Sequence, residues 1–287
     1  MTSLVKSNTT PAEGETVRSL LADNDLPRGE RIILLEHAAD MRRESLLARP
    51  ERVVSGAIAA QFRGLAERRL RGEPIAYLVG HREFFGLELI VTADVLIPRP
   101  DTEELVEAAL RRLPDGVSRQ VLDLGTGSGA IAIALASKRP QARVEGVDIS
   151  SAAVAVAARN ARSLAFSNVH FHVSDWLSAC EKSEYDVIVS NPPYIAEGDS
   201  HLEVGDLRFE PSIALTPGSD GLAAVRSIVA DARRFLARGG WLLFEHGYDQ
   251  AEACRELLVK AGFVDIASIR DLGGIERVCE GRWPGVG

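Results

Sequence analysis

The chain has 287 residues, of which 46% are hydrophobic, with 33 basic and 41 acidic side chains and a formal net charge of −8. That length accommodates two domains of ordinary size, and the absence of any apolar run of about eighteen residues argues against a transmembrane span. Residues 1–90 hold 13 basic and 13 acidic side chains and the remainder 20 and 28, so no basic block is available to grip a phosphate backbone, which weakens nucleic acid as the main substrate.

The amino-terminal MTSLVKSNTTPAEGE has one lysine, two glutamates and no apolar core. It reads as neither a secretory signal nor a transit peptide, and its first ten residues are expected to be loosely ordered. From Glu15 to about Arg71, apolar residues such as Leu20, Ile32, Leu34, Val53, Ala57, Phe62 and Leu65 recur at helical spacing, which predicts a small helical domain over residues 1–71. Residues 72–97 are rich in strand formers (Ile75, Tyr77, Leu78, Phe84, Phe85, Leu87, Leu89, Val91) and read as a β-hairpin linker turned at Gly80-His81. Asp101-Thr102-Glu103-Glu104 opens a helix to about Leu113, with Asp101 or Thr102 as its N-cap.

Beyond Pro114, strands are predicted at 119–124, 143–148, 168–173, 184–190 and 240–246, alternating with helices at 129–138, 150–163, 220–237 and 249–262. Two further strands, near 263–270 and 275–282, close the chain. The alternation implies an α/β domain over residues 98–287 with a mostly parallel sheet covered on both faces. Cys180, Cys254 and Cys279 are far apart and read as reduced structural thiols of a cytoplasmic protein. The six histidines are scattered, His170 and His172 alternating on one strand, and no metal site is expected.

The first of these strands runs into Asp123-Leu124-Gly125-Thr126-Gly127-Ser128-Gly129-Ala130. Alternate glycines let the backbone turn tightly and let a ligand approach it, and the following helix offers its free N–H groups. The second strand ends at Asp148, where an acid can accept both hydroxyls of a ribose. Gly125, Gly127 and Ala130 also satisfy the looser dinucleotide fingerprint, and a turn without a ligand stays open. The spelling DLGTGSG resembles the glycine loop of S-adenosylmethionine-dependent methyltransferases with a seven-stranded Rossmann-like sheet. That resemblance implies cofactor contacts from Gly125, Thr126, Gly127, Ser128, Gly129 and Asp148. It also implies that Asp175 reaches the adenine amine and that Trp176 covers the ring.

The fourth strand ends in Asn191-Pro192-Pro193-Tyr194, at the edge where open α/β sheets bind ligands. The prolines fix φ, Pro192 drives Asn191 into an extended conformation, and neither has an N–H. The Asn191 side-chain oxygen and the Pro192 carbonyl are then two rigid acceptors suited to a planar NH2 group. Accepting both of its hydrogens orients a weakly nucleophilic nitrogen toward a sulfonium methyl. The tetrapeptide resembles the (N/D)PPY motif of methyltransferases acting on glutamine, adenine or cytosine NH2 groups, with Tyr194 lying over the flat group.

Glu73-Pro74-Ile75-Ala76-Tyr77, Glu83-Phe84-Phe85-Gly86-Leu87 and Ile97-Pro98-Arg99-Pro100-Asp101-Thr102-Glu103 resemble the linker of the HemK/PrmC family. Phe209-Glu210-Pro211, Gly218 to Leu222, Phe244-Glu245-His246-Gly247 and Asp271-Leu272-Gly273-Gly274 follow the same pattern, so the likeness spans about residues 72–280. It implies methyl transfer from S-adenosylmethionine, leaving S-adenosylhomocysteine, to N5 of the Gly-Gly-Gln glutamine of class I peptide chain release factors. Asn191, Pro192 and Tyr194 are then catalytic, Asn191 also touches the cofactor, and Asn191, Pro192, Pro193 and Tyr194 hold the glutamine. Arg99 is expected to pair with an acid at the border of the site, and Glu210 and Glu245 are left without a role. The helical domain is expected to recognise the partner, and the protein to be a cytoplasmic monomer without stable nucleic acid or membrane association. A nucleic-acid methyltransferase acting on adenine N6 and a non-catalytic nucleotide-binding adaptor are the alternatives.

Overall fold

Five helices make up the described part of the amino-terminal unit, which ends at Val79: α1 (Val17–Leu21), α2 (Arg28–Ala39), α3 (Arg43–Leu47), α4 (Gly56–Leu70) and α5 (Ile75–Val79). The computed structural model describes residues 14–22, 25–180, 184–203, 205–218 and 220–285. The expectation for the first ten residues lies outside that range, as does Ser219. Thr16 and Ser19 form a reciprocal capping box on α1, and Ser55 caps α4. Leu34, Leu35, Leu46, Phe62 and Leu65 form the core of the unit, and Arg69 on α4 donates to Glu30 on α2 at 2.8 and 3.0 Å.

Ile75, Tyr77 and Leu78 were expected in a strand, but they lie in α5. Pro74 accepts the first helical bonds, from Tyr77 N and Leu78 N, and Leu78 and Val79 are buried in the helical core. Packing overrides strand propensity here. The hairpin is shorter, β1 (His81–Phe84) paired antiparallel with β2 (Leu87–Ile90). Its turn is Phe85-Gly86 (φ 53° and 78°), not Gly80-His81. Positive φ at both central residues suits the right-handed twist of the strands.

After the hairpin come α6 (Glu103–Arg112), β3 (Gln120–Leu124), α7 (Ala130–Lys138), β4 (Arg143–Asp148), α8 (Ser151–Ser163), β5 (Val169–Val173) and β6 (Tyr185–Ser190). The chain continues through α9 (Ser212–Leu215), α10 (Ala223–Ala232), β7 (Leu236–Glu245), α11 (Ala251–Lys260), β8 (Val264–Arg270) and β9 (Glu276–Arg282). The helix expected at 220–237 is cut short because Leu236 already pairs with Tyr185. The register shift between Tyr185 and Val187 absorbs the residues before Trp241. Strand order is β5-β4-β3-β6-β7-β9-β8, parallel except for β9, which pairs antiparallel with β7 and β8.

Strand residues feed two cores in alternation. Val121, Val187 and Val189 pack with residues of α6 and α7. Leu122, Leu124 and Ile188 pack on the other face with Val225 and Ile228 of α10 and Leu258 of α11. Burial on both faces explains the near-continuous apolar runs of these strands. The chain passes from β3 outward through β4 to β5, then returns to β6 on the other flank of β3. The carboxyl ends of β3 and β6 meet at this switch point, where open α/β sheets bind ligands, and the Ser190 hydroxyl donates to the Leu124 carbonyl at 2.8 Å.

Candidate active site

The glycine loop leaves β3 with positive φ at Gly125, Gly127 and Gly129 (71°, 55° and 83°). Gly125 N and Thr126 N donate to the Val147 carbonyl, each at 2.9 Å. Asp148 at the end of β4 braces the loop from the side, one oxygen accepting from Gly127 N and the other from Ser150 N, each at 2.9 Å. The Thr126 hydroxyl donates to the buried Asp123 at 2.7 Å.

A cavity of about 430 Å³ opens at this edge, within the size range of small-molecule sites. Of the residues expected to hold the cofactor, Gly125, Gly127, Asp148, Asp175, Trp176 and Asn191 line it, as does Pro193. Thr126, Ser128 and Gly129 do not: the first two are buried and serve the loop from behind. A Cβ on Gly129 would sit 3.0 Å from Ala157, Ile133 and Phe171, so that glycine permits helix–sheet packing. Trp176 adopts φ 47° and is held there by Ser174, whose hydroxyl donates to the Trp176 carbonyl at 2.7 Å. Its ring lies against Gly125. Ile149, 52% exposed, and Asp94 to Leu96 also line the cavity; sequence reasoning missed them. An apolar residue directly after the strand-ending Asp148 was the available sequence signal for Ile149.

The chemistry of this lining fits S-adenosylmethionine. Two acids can meet ribose hydroxyls and an adenine amine, Ile149 and Trp176 offer apolar surface to a flat ring, and the glycine backbone admits close approach.

The acceptor side is built around Asn191. Its Nδ2 donates to the Thr102 hydroxyl oxygen at 3.1 Å, and the Thr102 hydroxyl donates to Glu245 Oε2 at 2.7 Å. Thr102 is thus the N-cap residue of α6, one of the two expected, but its side chain makes no capping bond because the hydroxyl is taken by the buried carboxylate. Among the described residues, neither Asn191 Oδ1 nor the Pro192 carbonyl accepts a hydrogen bond. Pro192 is buried, and neither it nor Tyr194 lines the cavity. Tyr194, expected over the flat substrate group, is anchored at both ends. Its hydroxyl donates to Glu245 Oε1 at 3.1 Å, and its carbonyl accepts from Gln250 Nε2 at 3.0 Å. Burial pushes the Tyr194 phenol and the Glu245 carboxyl upward from their ordinary values, the nearby Glu245 charge adding to the former.

Arg99 pairs with Glu210, whose other oxygen accepts from Ile97 N at 3.1 Å. This pins the segment before α6. Burial raises the Glu210 carboxyl against the opposing pull of Arg99.

Gly221 (φ 70°) lies where a Cβ would come within 2.4 Å of the Tyr194 carbonyl oxygen and 2.6 Å of Gln250 Nε2. Gly221→Ala is therefore expected to displace the Asn-Pro-Pro-Tyr segment. Steady-state assays should find turnover reduced by about tenfold or more, since small misplacements of reacting groups cost up to about a hundredfold. Turnover equal to wild type would show that the segment tolerates the displacement.

One group of three possible metal ligands exists among the described residues: Glu145, His172 and Cys180, with donor atoms within 4.8 Å of one another. They lie outside the cavity lining. Tyr185 donates to Glu145 at 2.6 Å, His172 Nε2 stands 3.4 Å from Glu145, and the Cys180 thiol is pushed up to about 11 by burial and then by the Glu145 charge.

Residues 15–80 match the family model described as the PrmC N-terminal domain, and residues 104–215 match the methyltransferase small domain. A release factor glutamine methyltransferase of Burkholderia pseudomallei (strain K96243) is 52% identical over 284 residues, covering 97% of this chain and 100% of its own length. That of Escherichia coli (strain K12) is 48% identical over 265 residues, covering 92% of this chain and 95% of its own. Among solved structures, a methyltransferase from Pyrococcus furiosus superposes with a TM-score of 0.54 at 20% identity, covering 78% of this chain and 99% of that one, a likeness of fold.

Proposed function

The chain belongs to the release factor glutamine methyltransferases, and we propose that its own site methylates N5 of the glutamine in the Gly-Gly-Gln motif of class I peptide chain release factors. S-adenosylmethionine supplies, when bound, an electrophilic sulfonium methyl. Gly125, Gly127, Asp148, Asp175 and Trp176 are the residues that would hold it. Asn191 Oδ1 and the Pro192 carbonyl accept the two hydrogens of the substrate NH2. Holding both hydrogens orients the nitrogen and raises its electron density, and this preorganisation supplies most of the acceleration. No side chain has to remove a proton beforehand, because a methylated amide nitrogen becomes acidic and sheds its proton readily. Pro193 and Tyr194 flank the acceptors, and Tyr194, tied to Glu245 and Gln250, keeps the turn rigid.

The observation that carries this reading is the half-buried Asn191 on the wall of the glycine-loop cavity, its Nδ2 turned back to Thr102 and its oxygen left available. The amino-terminal helical unit serves partner recognition in this reading, and the enzyme, read as a monomer, works in the cytoplasm because its substrate acts in translation. No helix among the described residues is long and apolar enough to cross a membrane.

Mass spectrometry of a release factor's Gly-Gly-Gln peptide, with and without this protein and S-adenosylmethionine, should find one added methyl on the glutamine. Labelled-methyl assays on release factor, DNA and RNA in parallel should place the label on the factor alone. Label on nucleic acid with the factor spared would overturn the reading.

A further inference from the structure

We propose that Thr102 is a positioning residue for methyl transfer, setting the Asn191 carboxamide so that its oxygen, not its NH2, faces the substrate; this rests on the function proposed above. The two ends of a carboxamide are nearly identical in shape and opposite in hydrogen bonding. A half-turn of the Asn191 side chain would cost little in packing, yet it would point two donors at a substrate group that is itself a donor. Pro192 restricts the Asn191 backbone but does not choose between these two side-chain orientations.

The choice is made by hydrogen-bond direction. A hydroxyl carries one hydrogen, and Thr102 commits it to Glu245 Oε2 at 2.7 Å. The other oxygen of Glu245 accepts from the Tyr194 hydroxyl at 3.1 Å, so both oxygens act as acceptors. Thr102 then has only lone pairs to offer Asn191, and Nδ2 fills that role at 3.1 Å. Thr102 and Glu245 are nearly inaccessible to solvent, at 4% and 2% exposed, so water does not readily substitute for either partner. The direction runs from Asn191 through Thr102 to Glu245, and the oxygen of Asn191 is left facing outward. Thr102 touches neither reacting atom and acts through Asn191.

The test compares Thr102→Val, which keeps the shape and loses the hydroxyl, with Thr102→Ser, which keeps the hydroxyl. Readouts are kcat and KM on release factor, S-adenosylmethionine affinity by calorimetry, and thermal melting. Thr102→Val is expected to lower kcat by about tenfold or more, the effect of one misdirected buried hydrogen bond. Cofactor affinity should stay within about twofold, since the loop and acids that hold it are untouched. Thr102→Ser should recover most of the turnover. In the Asn191→Asp background both side-chain oxygens accept, so orientation no longer matters and Thr102→Val should cost less than about threefold. If melting shows Thr102→Val unfolded, Thr102→Ala takes its place with the same expectations.

With wild type active on release factor, the proposal is overturned by unchanged kcat in Thr102→Val. It is equally overturned if Thr102→Ser is as damaged as Thr102→Val, or if the loss is the same in both backgrounds, since each outcome makes Thr102 a packing residue. A wild type inactive on release factor would sink the functional reading itself, and the positioning role with it.

Discussion

Asn191→Ala should lower turnover on release factor by about 10²- to 10³-fold, the loss typical of removing one preorganised hydrogen bond at a reacting group. Cofactor affinity should change far less. Asn191 supplies one wall of the cavity, whereas Gly125, Gly127, Asp148, Asp175 and Trp176 supply the rest of the expected contacts. Without Oδ1 the Pro192 carbonyl still accepts one hydrogen, but a single acceptor leaves the substrate amide free to rotate about that bond, and the nitrogen lone pair is no longer aimed. Single-turnover rates at saturating substrate, set beside calorimetric affinity for S-adenosylmethionine, separate the two quantities. Equal turnover in variant and wild type would remove Asn191 from the mechanism.

Asp123→Asn should make the protein more stable at pH 8 and lose that advantage as the pH falls toward 5. Asp123 is fully buried. One oxygen accepts from the Thr126 hydroxyl at 2.7 Å and from Ala132 N at 3.2 Å, and the other has no partner among the described residues. Burial pushes its carboxyl up from 3.8 to about 7, with the Asp148 charge adding and the two hydrogen bonds opposing. The folded state therefore holds this proton more tightly than the unfolded chain does. Its contribution is most favourable below about pH 4 and declines as the pH rises to about 7. The gap between about 7 and 3.8 corresponds to at most about 4 kcal/mol. Half of that would move the melting temperature by several degrees in a domain of this size, at about 2–4 °C per kcal/mol. Asparagine keeps the acceptor for Thr126 and Ala132 and carries no charge. Melting curves of both proteins from pH 5 to 8 check the sign; a destabilisation of equal size at every pH would show that the charge is not what strains this site.

Much of the site was legible because its signals are local. The apolar run ending at Leu124, the alternate glycines, the acid at Asp148 and the Asn-Pro-Pro-Tyr turn each declare themselves within a few residues, and strand–helix alternation orders them along one edge. What stayed hidden depends on partners far along the chain. Thr102 reads as a helix cap because nothing near it names Glu245, 143 residues away, as the taker of its hydroxyl. Gln250 looks like any residue before a helix, yet it reaches back to the Tyr194 carbonyl. Ile75 to Val79 carry strand propensity and become helical because a helical core needs Leu78 and Val79. Glu145 and His172 follow no ligand spacing and come together only because β4 and β5 are adjacent.

The Thr102–Glu245 bond also bears on the order in which the enzyme becomes competent during synthesis. Every residue lining the cavity has been made once Ala224 is complete, whereas the carboxylate that orders Asn191 belongs to β7, at position 245. Because chains emerge amino terminus first and domains fold as units, an incomplete chain ending before Glu245 contains every residue that lines the nucleotide pocket but neither the finished sheet that positions them nor the clamp on the methyl-accepting side. The acceptor is therefore ordered only once β7, which lies between β6 and β9, is in place, so competence for methyl transfer comes with the strands made late.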